Sequence, residues 1–389
     1  MHSIIKTTLS IALITLCLWA LNKASANRMA SSDIAKQLPT IITQDERPFN
    51  GIIMVKRNNQ PLFTYISGEQ VNQQSQFVIA SLSKQVIAAL VLQAADAGKV
   101  KLTQSINHYL GTYQTDIPNS VTVSQLLSHT SGLISPNKAP VFTPGTRFKY
   151  SNYGYTLLGQ LLEQVNQKPL AAQINALNIN ADLGGLNARL GKTSAIKISQ
   201  PSLILGQTET RVKSPTNSQS HHASPGELTS HYTDSDVEIT ADLLAPGGIV
   251  ASADAYSRFQ HALFTGQLIS DKNLQQMTTP HITREHRWGT VGYGYGTQIS
   301  QQDGITEYSH SGYLPGYVSL ALYYPQSKVN VVILENTSWD LQHPQRTFGL
   351  HDKIRNSIYS KVIALDNRPV AKLYQSGKSA ISDAFTATE

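Results

Sequence analysis

Ser81 and Lys84 stand three residues apart, at the head of the apolar, helix-prone run Gln85-Val86-Ile87-Ala88-Ala89-Leu90-Val91-Leu92. Positions i and i+3 share a helix face, so this spacing predicts that the lysine nitrogen reaches the serine hydroxyl. A serine hydroxyl becomes an effective nucleophile when a neighbouring base takes its proton. The helix N-terminus beside it favours the negative charge that develops there. The same Ser-x-x-Lys spacing recurs at Ser3/Lys6, Ser135/Lys138 and Ser194/Lys197. The first lies in a targeting-type segment, the second beside Pro136 in a loop-like stretch, and the third in a short mixed run. Only Ser81 heads a long helical pattern, which Gly98 closes as a C-cap.

Two other triplets bear on the same chemistry. Tyr150-Ser151-Asn152 is the single Tyr-x-Asn of the chain, after the turn Pro144-Gly145-Thr146 and at the start of a helical pattern. A phenol beside an ammonium group loses its proton more readily than in water. It then serves as a general base and hands the proton on to a leaving group. The amide of Asn152 suits a substrate carbonyl. His310-Ser311-Gly312 is the single His-x-Gly and reads as a strand edge. Glycine there lets a backbone approach closely. Residue type alone leaves Tyr150 open to a packing role and His310 to a structural one.

The elements that must position these groups follow from the patterning. Residues 31–45 read as a short helix, and 51–56 and 61–66 as strands joined by Arg57-Asn58-Asn59-Gln60. The Ser81 helix follows, then short helices and loops over 101–190, including a helix over 153–167. Residues 206–237 are polar and rich in Ser, Pro and Gly, and read as a long exposed loop. Pro246-Gly247-Gly248 leads to a helix over 254–265. Strands return at 292–300, Tyr317–Tyr324 and Val329–Glu335, before a last helix over 351–364 and a weakly patterned tail. Strands at both ends with helices between them predict an α/β (α+β) chain. Its antiparallel sheet is completed by the two termini, with flanking helices and an inserted helical subdomain over about 101–285.

Composition and the first residues bound the compartment. Of 389 residues, 40% are hydrophobic and 14% charged, which suits a buried core. Lys6, the apolar run Leu9–Leu21 and Ala24-Ser25-Ala26 have the order of a secretory signal over residues 1–26. The run is short for a transmembrane helix, and an uncleaved anchor is the alternative. Leu16 before Cys17 does not fit a lipoprotein site. Cys17 is the only cysteine, so cleavage leaves none and no disulfides. Losing Lys6 and Lys23 lowers the formal charge from +6 to +4. No run of Lys or Arg points to a nucleic acid or a membrane.

In order, Ser81-x-x-Lys84, Tyr150-x-Asn152 and His310-x-Gly312 resemble the motifs of the serine hydrolases related to class C β-lactamases and penicillin-binding proteins. Leu126-Leu127-Ser128-His129-Thr130-Ser131-Gly132-Leu133, Pro246-Gly247-Gly248 and Gly312-Tyr313-Leu314-Pro315-Gly316-Tyr317 resemble that family's neighbouring segments. The likeness spans roughly residues 35–365, within a catalytic domain over 27–365 followed by a tail, 366–389.

The resemblance implies the β-lactamase/transpeptidase-like fold and an acyl-enzyme on Ser81. It implies proton transfer shared by Lys84 and Tyr150, and substrate binding by Asn152, His310, Ser311, Gly312 and Tyr313. The N–H groups of Ser81 and Tyr313 would form the oxyanion hole. Neither a metal nor a cofactor is implied, and His221, His222 and His231 are not read as a metal site. The chain departs from the β-lactamase pattern at the third motif, where His310 replaces lysine. A histidine is only partly charged near neutral pH, so it would be a weaker partner for a substrate carboxylate. The expectation is a periplasmic or secreted monomer that acts on D-amino-acid peptides, in the manner of a DD-carboxypeptidase, or on related amides. Its partners would be a small peptide, amide or ester and the peptidoglycan that carries it. The alternatives are a carboxylesterase and a weakly active or non-catalytic penicillin-binding protein.

Overall fold

The computed structural model describes residues 32–111, 117–213 and 228–363. The signal-type segment 1–26 and the tail 366–389 lie outside these residues. Among the described residues no helix is long and apolar enough to cross a membrane.

The frame is an eight-stranded antiparallel sheet. Its spatial order is Ile282–His286, Gly289–Tyr293, Gln298–Gln302, Ile305–Leu314, Tyr317–Tyr324, Val329–Glu335, Gly51–Arg57 and Gln60–Ser67. The two ends of the chain meet where Gly51 pairs with Glu335 and Arg57 with Val329. Side chains of a strand alternate between faces. Ile52, Met54, Ala321, Tyr323, Val332 and Leu334 enter the core shared with the helical region. Ile53, Val55, Leu320, Leu322, Val331 and Ile333 enter a second core on the opposite face. That second core is closed by a helix over 32–43, through Ile34, Leu38 and Ile42, and by the helix Pro344–Ile358. The sheet therefore lies between two helical layers, as the patterning predicts.

Three local expectations are corrected. Residues 206–237 are not a loop. Gly206–Lys213 and Leu228–Ser235 pair as antiparallel strands, and the first also pairs in parallel with Thr337–Ser338. Leu228–Ser235 is mostly exposed and Gly206–Lys213 is almost wholly polar, so neither shows the apolar alternation that marks a half-buried strand. Residues 214–227, with His221 and His222, lie outside the described residues. The stretch 292–300 is two strands, Gly289–Tyr293 and Gln298–Gln302, turned at Gly296 with φ +64°. An additional strand, Ile282–His286, precedes them. Finally, the last helix starts earlier than expected, at Pro344, where a missing N–H costs nothing.

A buried ion network ties the sheet to its outer helical layer. The Arg47 guanidinium donates to both carboxylate oxygens of Glu335, at 2.7 and 2.9 Å, and His351 Nε2 donates to Oε1 at 2.5 Å. Burial alone would raise the Glu335 pKa, but Arg47 and His351 together outweigh it and hold it below the ordinary carboxylate value. The pair's contribution is thus present above the unfolded pKa and is lost as pH falls through the lowered folded one. Breaking a buried pair leaves an uncompensated charge and costs roughly 3–5 kcal/mol. Glu335→Gln should lower the urea-unfolding free energy by about that amount at pH 7, with the gap to wild type closing in acid. A loss under about 1 kcal/mol would mark the pair as no stronger than a surface one.

Candidate active site

The nucleophile candidate sits on a sharp turn, not inside the helix. Ala80–Leu82 form a single 3₁₀ turn, and the α-helix Ser83–Asp96 follows directly. Ala80 has φ +48°, a left-handed conformation that a residue with a Cβ adopts at a cost. The turn is pinned on both sides. Ser319 Oγ donates to the Ile79 carbonyl at 2.9 Å, and Ser83 Oγ accepts the Ile249 N–H at 3.2 Å.

Ser81, Lys84, Tyr150 and Asn152 converge. Lys84 Nζ lies 3.1 Å from Ser81 Oγ, 2.8 Å from Asn152 Oδ1 and 2.7 Å from the Pro246 carbonyl oxygen. The Tyr150 hydroxyl donates to Ser81 Oγ at 2.7 Å. Lys84 is fully buried, and burial lowers its pKa well below the ordinary value. A neutral amine has two N–H donors and one lone pair. Asn152 Oδ1 and the Pro246 carbonyl can only accept, so they take the two N–H groups. The lone pair is left to accept the Ser81 hydroxyl proton. Ser81 is then donor to a base and acceptor from a phenol at the same time.

Tyr150 differs from expectation. Its pKa is raised, because burial outweighs the Ser81 hydrogen bond and the charge of Arg284. Burial likewise pushes Lys84 toward its neutral form, in which it would not acidify a phenol as an ammonium does. Burial thus favours the uncharged form of both groups, amine and phenol.

The third motif lies on Ile305–Leu314. It is interior to the sheet rather than at its edge, but pairing with Gln298–Gln302 ends at Ser309, so one side of the strand opens at His310. Gly312 packs against the nucleophile turn. A Cβ there would stand 2.2 Å from Ser319 Oγ and 2.9 Å from both Ala80 Cβ and the Ile79 oxygen. Tyr313 follows, with its hydroxyl donating to the Trp339 carbonyl at 3.0 Å.

His310 is not a partial cation. It is 3% exposed, and its pKa is lowered to about 3, first by burial, with the nearby Arg284 charge acting in the same direction. Nδ1 lies 2.8 Å from the Ser311 carbonyl, which can only accept, so the proton is on Nδ1. Nε2 then accepts from the Tyr293 hydroxyl at 3.0 Å.

Two residues that patterning did not single out bring charge to this region. Arg284, on Ile282–His286, lies over the Phe148 ring at 5.1 Å and donates to Gln298 Oε1. Among the described residues it has no carboxylate partner, and its charge acts on Tyr150, His129 and His310. Arg287 is bonded to Asp352 at 2.9 and 3.0 Å and reaches Ser311 Oγ at 3.3 Å. Nothing in the local sequence marks either arginine: the strand Ile282–His286 that carries Arg284 has no apolar alternation, and Arg287 lies in the turn after it. Of the other Ser-x-x-Lys matches, Ser194 donates its hydroxyl to Asp236 at 2.8 Å, while Lys197 bonds the Leu203 carbonyl at 2.7 Å.

The chain is similar to several known proteins. A putative penicillin-binding protein, PbpX, of Bacillus subtilis (strain 168) is 24% identical over 315 residues, which cover 74% of this chain and 71% of that protein. The D-amino acid amidase from Ochrobactrum anthropi SV3 complexed with D-phenylalanine superposes with a TM-score of 0.68 at 17% identity, covering 85% of this chain and 99% of that one. EstCE1, a hydrolase with promiscuous acyltransferase activity, superposes with a TM-score of 0.65 at 19% identity, covering 85% and 99%. Identities this low show a shared fold. The family model described as Beta-lactamase matches residues 42–350, a span that runs from before the sheet's first strand to its outer helix and contains all three motifs. With the turn, the buried lysine and the motif strand in one place, the chain belongs to the Beta-lactamase family of serine hydrolases.

Proposed function

We propose that the protein hydrolyses small amides through an acyl-enzyme on Ser81, and that its substrates are D-amino-acid peptides or amides with a free carboxylate. The observation that carries the reading is the double bonding of Ser81 Oγ, to a desolvated Lys84 and to the Tyr150 hydroxyl. In acylation Lys84 takes the Ser81 proton as Oγ bonds to the carbonyl carbon. The N–H groups of Ser81 and Tyr313 serve as oxyanion donors. Tyr150 gives its proton to the leaving nitrogen as the C–N bond breaks, and the proton on Lys84 then replaces it. Water follows the same route in reverse, adding to the acyl carbon and releasing the acid from Ser81. Asn152 both orients Lys84 and faces outward, where it can meet a substrate amide.

The carboxylate preference rests on Arg284. With His310 neutral, Arg284 is the permanent cation beside Tyr150 that lacks an acidic partner among the described residues. The D-amino acid amidase neighbour supports an amide of a D-amino acid, and the penicillin-binding protein relative supports peptidoglycan stems as a source of the carboxylate-bearing peptide. EstCE1 supports the second reading, an esterase, for which an unpaired cation has no use.

A panel of a D-Ala-D-Ala peptide, its C-terminal amide and a neutral ester separates these readings. Arg284→Gln should raise KM for the free-carboxylate peptide about 10- to 100-fold, as loss of a charged hydrogen bond does, and leave the capped peptide and the ester near wild type. Equal effects on all three would remove Arg284 from carboxylate recognition.

Ser81→Ala should cost on the order of 10⁶ in kcat. A fluorophosphonate adduct should map to Ser81, and an adduct on another serine would overturn the assignment.

The pH profile follows from the same groups. An amine base works only when unprotonated, so kcat/KM should fall as pH drops through the lowered Lys84 pKa. His310, held at about 3, should add no step between about pH 5 and 8. Turnover of the carboxylate peptide that declines through about pH 6.5, with the ester unaffected, would show that His310 carries charge after all.

A further inference from the structure

We propose that His129 is a positioning residue for Tyr150, one that fixes the phenol by holding the backbone on both of its sides. The inference rests on the reading of Tyr150 as the proton donor to the leaving group. His129 lies just past the short helix Val123–Leu127, at the centre of Leu127-Ser128-His129-Thr130. Its backbone carbonyl accepts the N–H of Lys149 at 2.8 Å. Its ring nitrogen Nδ1 accepts the N–H of Ser151 at 3.2 Å. One residue thus grips the chain immediately before and immediately after Tyr150. The ring itself lies against the Tyr150 ring, with centroids 4.4 Å apart.

Three features mark this as more than packing. The residue is 1% exposed yet has φ +59°, a left-handed conformation seldom held by a buried non-glycine residue. Strain of this kind persists where surrounding contacts over-determine it. Since Nδ1 accepts, the neutral ring carries its proton on Nε2, and that nitrogen has no hydrogen-bond partner. A buried histidine with one unused nitrogen is a poor choice for stability alone. The ring is enclosed by Tyr150, Tyr155, Tyr293 and Phe148, with centroids at 4.4, 5.2, 5.0 and 5.7 Å.

The clamp depends on an unprotonated Nδ1. Burial is the first cause that opposes protonation of His129, and Lys84, His310 and Arg284, the charged or titratable groups that act on it, work in the same direction. Tyr150, Tyr155 and Tyr293 face it as intact phenols, each with a raised pKa. The acceptor is therefore favoured by the same dry surroundings that lower the Lys84 pKa.

The test separates the acceptor from the bulk of the ring. In His129→Asn, Oδ1 stands where Nδ1 stood, and asparagine tolerates the left-handed backbone. His129→Leu fills the space without an acceptor. Each is compared with wild type in the full chain, alone and combined with Tyr150→Phe, after circular dichroism and thermal melting confirm folding at the assay temperature. The readouts are the rate of Ser81 labelling by a fluorophosphonate, kcat and KM on one amide substrate, and hydrogen exchange at the Ser151 amide.

His129→Leu should slow labelling and kcat about 100-fold, the scale of a misplaced catalytic group, with KM within about threefold. Ser151 exchange should speed up. His129→Asn should recover at least tenfold of the loss and keep Ser151 protected. In the Tyr150→Phe background His129→Leu should cost nothing further. Additive losses, unchanged Ser151 exchange, or equal damage from Asn and Leu would each overturn the proposal. Should His129→Leu fail to fold, His129→Asn decides alone. Near wild-type labelling with a protected Ser151 supports the clamp, and a loss as deep as that of Tyr150→Phe refutes it. A Tyr150→Phe enzyme with full activity would instead sink the proton-donor reading, while Ser151 exchange still reports on the clamp.

Discussion

Removal of Lys84 from water is the constraint on which the rest of the site depends. An ammonium group in so dry a place is penalised, and burial pushes the nitrogen toward giving up its proton. The structure compensates by meeting every hydrogen-bonding valence of the amine from a different element. Asn152 comes from the start of the helix Asn152–Asn166, Pro246 from the short helix Ala241–Gly247, and Ser81 from the turn one residue before the lysine's own helix. The helix Ser83–Asp96 is accordingly buried along most of its length, from Ser83 to Leu92 without a break. A lysine on an ordinary amphipathic helix would keep its charge in solvent and could not serve as a base at neutral pH.

The large sheet enters this arrangement through Ser319, which bonds the Ile79 carbonyl, and through Gly312. Gly312 allows the strand Ile305–Leu314 to close on Ala80, which no side chain at that position would permit. The nucleophile turn, the motif strand and the phenol are then brought into one surface. Around them, the aromatic rings of Tyr150, Tyr155, Tyr293 and Phe148 exclude water and keep the histidines neutral. The fixed positive charge is carried not by the third motif but by Arg284, on the edge strand Ile282–His286. In the proposed reaction charge and proton transfer thus fall to separate residues, while His310 is hydrogen-bonded to Tyr293 and to its own backbone neighbour.

Much of this was legible in the sequence, for definite reasons. The strands at both ends alternate faces or are apolar throughout, so Tyr317–Tyr324 and Val329–Glu335 coincide with their expected limits. The Ser81, Tyr150 and His310 motifs each combine spacing with a recognisable local setting. What escaped the sequence depends on tertiary contact. The hairpin Gly206–Lys213 with Leu228–Ser235 is polar on both faces and so resembles a loop. The protonation states of Lys84, Tyr150 and His310 are set by burial that no local pattern records. His129 and Arg284 act from segments that are not adjacent in sequence to the groups they influence.

The central claim is that Lys84 rests as a free amine that accepts the Ser81 proton. The most direct test is an NMR titration of protein with isotope-labelled lysine side chains, with the Lys84 signal assigned by its loss in Lys84→Arg. The account predicts a midpoint well below the ordinary value near 10.5, with the amine form present at the pH where Ser81 is labelled by a fluorophosphonate. A midpoint at or above that value, with Ser81 still fully reactive at neutral pH, would contradict it.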